Sequence, residues 1–198
     1  MPNSGGGCVG KVTGWTIVVV LLVVLMRSCG VDLGLFSSSA CDAPTAAGSL
    51  AFGDSGDCEK LKRAAIDPSW AAQQRQRSEL RNGKVTTSLF FETSPESYTA
   101  LSSGHDDLSE QAASILTDAG YSDIDPDPAT HAEVKVAVKM REDEAAFGVL
   151  VINNTYVCGQ SGPMGCRDAV AVILPEGATL YIWTKNARQV LAIKGRGS

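Results

Sequence analysis

Hydrophobic and polar positions change period several times along the 198 residues. Trp15–Met26 is an apolar run of twelve residues, with Lys11 before it and Arg27 after it. Even the fifteen residues between the two cations fall short of the ~20 that span a bilayer comfortably. Snorkelling by both cations would let the run cross a thinned bilayer. A short apolar core after a positive segment is also the form of a secretory signal. The pattern predicts an N-terminal hydrophobic helix at residues 12–26, within a segment 1–30. It anchors a single-pass protein whose globular part is extracytoplasmic. The alternative is secretion after cleavage beyond Ser28 and Gly30.

Residues 31–81 lose the apolar pattern. Ser37–Ala40, Gly53–Gly56 and Pro68-Ser69 are linker-like. Short helices are predicted over Glu59–Ala65 and Ala71–Leu80, and the segment reads as a flexible stalk. Cys41 and Cys58 lie in it and would pair outside the cytoplasm, though free thiols fit the spacing as well.

From residue 82 the pattern is that of a packed domain, 82–198. Asn82-Gly83 is a turn, and Val85–Phe91 is rich in β-formers, so a strand follows. Leu108, Ala112, Ile115 and Leu116 share one face of a helix over Leu108–Ala119, with Gly120 as its stop. Phe147–Ile152 is a wholly apolar strand. Cys166–Leu174 is a short helix ended by Pro175, and Ala178–Trp183 and Gln189–Ile193 are further strands. Val134, Val136, Val138 and Met140 alternate with Lys135, Ala137 and Lys139, and that period alone reads as a strand.

Composition adds little by itself. A 44% apolar and 20% charged chain is not disordered throughout, and six cysteines are too sparse for a small disulfide scaffold. The distribution of charge matters more than the net −5. Residues 82–130 hold nine acidic side chains and one basic, whereas residues 131–198 hold eight basic and six acidic. An anionic polymer is repelled by the first region and tolerated by the second.

The final third also carries a metal-ligand set. His131, Cys158 and Cys166 offer one imidazole and two thiols, which suits Zn²⁺ with a fourth position left for water. Bound zinc lowers the pKa of that water towards about 7. Glu133, two residues after His131, is placed to shuttle its proton. H-x-E followed by paired cysteines is the pattern of zinc nucleobase deaminases.

The stretches His131–Arg141 (HAEVKVAVKMR), Val151–Asn154 (VINN), Cys158, Gly162-Pro163, Gly165-Cys166 and Leu174–Leu180 (LPEGATL) resemble the SCP1.201-like (DddA-like) bacterial toxin deaminases. The resemblance covers about a quarter of the chain. It implies an α/β, cytidine deaminase-like fold, a mixed β-sheet flanked by helices, and a helix where the valines alternate. It implies zinc held by His131, Cys158 and Cys166, with Glu133 catalytic and Asn153 and Asn154 bordering a base pocket. The implied activity is cytosine to uracil in nucleic acid, DNA before RNA, in a toxin with an immunity protein as partner.

Other readings remain at this level. Thr130-His-Ala-Glu133 is also a helix capping box. Cys158 and Cys166 would pair in a non-catalytic, membrane-anchored extracytoplasmic module. Tyr181 and Trp183 fit either a base-stacking platform or the core, and His105 reads as a solvated loop residue.

Overall fold

The computed structural model of the protein describes residue 41 and residues 56–79, 87–122, 128–158 and 164–197. The apolar run at 12–26 lies outside them. Chain contacts separate Met1–Ser38 from Ser39–Ser198, and all described residues belong to the second unit. Among the described residues no helix is long and apolar enough to cross a membrane.

Five strands form one mixed sheet: β1 (Thr87–Phe91), β2 (Thr99–Ser102), β3 (Phe147–Ile152), β4 (Thr179–Trp183) and β5 (Leu191–Lys194). Their spatial order is β2-β1-β3-β4-β5. Only β3 and β4 run parallel, with Phe147 opposite Thr179 and Val151 opposite Trp183. The other pairs are antiparallel. A parallel pair needs a crossover, and helix α5 (Cys166–Ile173) supplies it.

The sheet is covered on both faces, which is why β1 and β3 are buried along their whole lengths. Phe90, Leu150, Ile152, Leu180 and Ile182 pack in one cluster with helices α3 (Asp107–Asp118), α4 (Ala132–Glu142) and α5. Leu89, Phe91, Val149, Val151 and Trp183 point the other way, as period two requires. They meet α1 (Gly56–Ala64) and α2 (Pro68–Glu79) through Leu61, Ala71 and Trp70.

Residues 56–79, read from sequence as part of a stalk, therefore form part of the second layer. Asp67 Oδ1 accepts the Ser69 amide at 2.8 Å ahead of α2. The inner face of α2 is Ala71, Gln74 and Ser78, all buried. Small and polar residues make that face, so the sequence shows almost no amphipathic stripe. The Cys41–Cys58 disulfide ties residue 41 to α1. The Trp183 indole donates to the Ala65 carbonyl at 2.9 Å in the same layer, so Trp183 belongs to the core.

Helix α4 carries the strand-like alternation. Ala132 to Val138 and Met140 are all buried, so the helix is enclosed on every side and needs no polar stripe. Lys135 is 1% exposed and directs its Nζ to Ser102 O (3.0 Å) and Asp106 Oδ2 (2.7 Å). Below Met140, β3 has no room for a side chain at Gly148. A Cβ there would lie 2.7 Å from Phe90 Cε2.

Helix α3 begins one residue earlier than its pattern predicts, because Asp106 caps it in a reciprocal box with Ser109. Gly120 ends it at φ +88°, where glycine is favoured. β2 is an added strand, too short and too polar to be seen in the sequence.

Candidate metal centre

Two helix N-termini and the loop after β3 converge at one end of the sheet. His131 is the N-cap of α4, in extended conformation after a 3₁₀ turn at Pro128–Thr130. The loop from β2 to α3 fixes this start: Gly104 N donates to Thr130 O (2.8 Å) and Ala132 N to Ser103 Oγ (3.3 Å). Lys135 holds Ser102, the last residue of β2, and Asp106 of the same loop. Cys166 opens α5, with Gly165 as its N-cap. Its amide donates to Cys158 O at 2.9 Å, so the two cysteines adjoin.

The result is a three-donor cluster. Cys166 Sγ lies 3.2 Å from His131 Nδ1, and the ligand atoms of His131, Cys158 and Cys166 are all within 4.8 Å of one another. Both cysteines are free thiols, so the Cys158–Cys166 disulfide of the alternative reading is not formed. The donor chemistry fits zinc. Bonds of about 2.3 Å to sulfur and 2.0–2.1 Å to nitrogen bring tetrahedral ligand atoms into this range. The partial positive charge of two helix N-termini works against the cost of burying thiolate there.

Glu133 occupies the first turn of α4 and is 2% exposed. The capping box drawn on Thr130 does not form. The N-cap is His131, without a side-chain cap bond. Burial pushes the Glu133 carboxyl above its ordinary value, while its own amide, His131 and the Cys158 amide pull the other way. Burial also pushes the Cys166 thiol up, helped by the Glu133 charge and Cys158.

Asn153 and Asn154 follow β3 on the same loop as Cys158. Asn153 Oδ1 accepts Thr87 N (3.1 Å) while Asn153 N donates to Thr87 O (3.2 Å), so this residue closes the β1–β3 ladder. Asn154 Oδ1 accepts the Thr155 amide (2.8 Å), and its carbonyl accepts Lys185 N (2.7 Å). Both side chains are half-buried. His105 is exposed on the β2–α3 loop and is not one of the three clustered donors.

The sequence model of the SCP1.201-like deaminases matches residues 63–198. The chain belongs to that family. No curated protein matches it. The family match takes in α2, in agreement with its place in the second layer of the deaminase. The fold is accordingly the mixed sheet flanked by helices that the motifs imply. Sequence reasoning passed over Ser103, Asp106 and Lys135, which set the helix bearing His131 and Glu133. The one signal available was a lysine inside a run of buried valines.

Proposed function

We propose that this deaminase uses zinc, held by His131, Cys158 and Cys166, to convert cytosine to uracil in DNA as a bacterial toxin. The observation that carries this is the placing of an imidazole and two thiols within 4.8 Å of one another beside a buried glutamate. When bound, zinc acidifies a water for attack on the carbon that bears the amino group. Glu133 takes the water's proton and delivers it to the ring nitrogen. It then assists departure of ammonia, so cytosine and water become uracil and ammonia. A carboxyl whose proton affinity is raised by burial suits a group that must both take and return a proton near neutral pH.

Asn153 and Asn154 border the base, and an immunity protein restrains the toxin in its producer. DNA, toxin role and immunity partner rest on the resemblance of the motifs. The Cys41–Cys58 disulfide supports an oxidising, extracytoplasmic compartment. Attachment to a membrane through residues 12–26 rests on the apolar run alone.

The test is a metal count with a uracil assay on single- and double-stranded DNA. About one zinc per chain and uracil formation are expected. Glu133→Ala should keep the zinc and lose about 10²–10⁴-fold or more in rate. Stoichiometric zinc without deamination of any nucleic acid or nucleoside would reduce the cluster to a structural site and overturn the proposal.

A further inference from the structure

Charge is polarised across the sheet. No lysine or arginine occurs between Lys84 and Lys135, the stretch that includes β1, β2 and α3. At the opposite edge, residues 177–198 contain Lys185, Arg188, Lys194 and Arg196 and no acidic side chain. The β4–β5 turn presents Lys185 and Arg188, both exposed.

That turn is tied to the metal end of the sheet. The Lys185 amide donates to Asn154 O at 2.7 Å, on the loop that leads to Cys158. From α2, Arg75 Nη1 donates to the carbonyls of Thr184, Lys185 and Ala187 at 3.0–3.3 Å, and its guanidinium lies 5.8 Å from the Trp183 ring. One cation thus gathers three carbonyl dipoles inward. The turn is tied to α2, and these carbonyls face the guanidinium rather than an incoming anion. Two residues beyond Asn154, Tyr156 is 68% exposed. Exposed aromatics and cations are the side chains that hold a nucleic-acid strand, by stacking and through its phosphates.

We infer that the β4–β5 turn, through Lys185 and Arg188, is the phosphate-contacting rim that guides a nucleic-acid strand to the centre at His131, Cys158 and Cys166. This rests on the nucleic-acid reading of the function and adds the surface that selects a polymer over a free nucleoside. The acidic β2 side orients the strand by repulsion, so the chain approaches from the β5 edge. Phosphate contacts of this kind fix register and carry no base preference.

The experiment compares the full chain with the double variant Lys185→Glu, Arg188→Glu. A second double variant, Lys60→Glu, Lys62→Glu, makes the same net-charge change on α1. Binding of a fluorescent single-stranded oligodeoxynucleotide is followed by anisotropy at several salt concentrations. Deamination of that oligonucleotide and of free deoxycytidine is followed in parallel. The turn variant should flatten the slope of log affinity against log salt by about 1.4, two contacts at about 0.7 each. It should lower kcat/KM on the oligonucleotide, leave that on deoxycytidine unchanged, and keep its zinc. The α1 variant should keep the parental slope. Equal losses in both variants, or an unchanged slope in the turn variant, overturn the inference. If the parent deaminates the oligonucleotide while the turn variant is indifferent, the rim falls and the proposed function stands. If nothing is deaminated but the slope changes as expected, the function falls and the rim stands.

Discussion

Cys166 Sγ stands 3.2 Å from His131 Nδ1 across 35 residues of sequence. The contact joins the first turn of one buried helix to the cap of another, and it has a consequence for metal uptake. Burial and the Glu133 charge push the Cys166 thiol's pKa up in the metal-free protein. Zinc binds thiolate, so uptake must release protons and weaken as pH falls. Calorimetric titration of the metal-free protein in buffers of different ionisation enthalpy should show at least one proton released per zinc. Binding without proton release would remove Cys166 from the ligand set.

The pair Lys135–Asp106 is unequal: the lysine side chain is 1% exposed and the aspartate 50%. Removing the carboxylate strands a buried ammonium, whereas removing the lysine leaves a carboxylate that water can reach. Asp106→Ala should cost about 3 kcal/mol, the low end for a broken buried pair. Lys135→Met should cost clearly less. Urea unfolding of both variants decides this. The Lys135 hydrogen bond lowers the Asp106 carboxyl's pKa in the folded state. Its contribution is present above the unfolded pKa and is lost as pH falls through the lowered folded value.

Glu92 works in the opposite sense. Burial holds its carboxyl above the ordinary value, Asp143 adds to this and Lys139 opposes it. Its Oε1 is a buried side-chain oxygen that finds no hydrogen-bond partner among the described residues. With the folded pKa raised, stability is greatest below the unfolded value and falls as pH rises through the folded one. Glu92→Gln should therefore raise Tm at pH 7 and have a smaller effect near pH 4. Thermal melts at both pH values test the difference.

Reduction of the Cys41–Cys58 bond should lower stability by about 3 kcal/mol, the loop-closure value for a short loop. Denaturant titrations of the double Cys→Ala variant measure it. Zinc content should be unchanged, because the bond lies in the second layer. Loss of zinc in that variant would show that the layers are coupled.

Asn153 serves the β1–β3 ladder through its Oδ1 and its amide. Asn153→Asp keeps an acceptor for the Thr87 amide. Asn153→Ala should lose about 1–3 kcal/mol by removing an acceptor of the Thr87 amide. A base-pocket role adds a rise in KM in the aspartate variant. Equal KM in parent and Asn153→Asp would confine the residue to the ladder.

The positions of β1, β3, β4, α3 and α5 were legible because each combines one clear period with a stop such as Gly120 or Pro175. The donor set was legible because H-x-E followed by two cysteines, His131, Glu133, Cys158 and Cys166, has few other uses. Helix α4 was hidden by its burial: with Val134, Val136 and Val138 enclosed on all sides, the residues between them carry no facing signal. β2 was hidden because it is four residues long and mostly exposed, and the packing of α2 because its inward residues are small or polar.

The sequence by itself determined the chemical kind of the site, the polarity of charge along the chain and most of the strands, since these depend on residue type and local period. Only the tertiary structure decided that His131 faces the two cysteines, that those cysteines stay free while Cys41 and Cys58 join, and that Lys185 adjoins Asn154. Each of these is a contact between segments far apart in the chain, fixed by strand register and helix packing, and no local pattern encodes it.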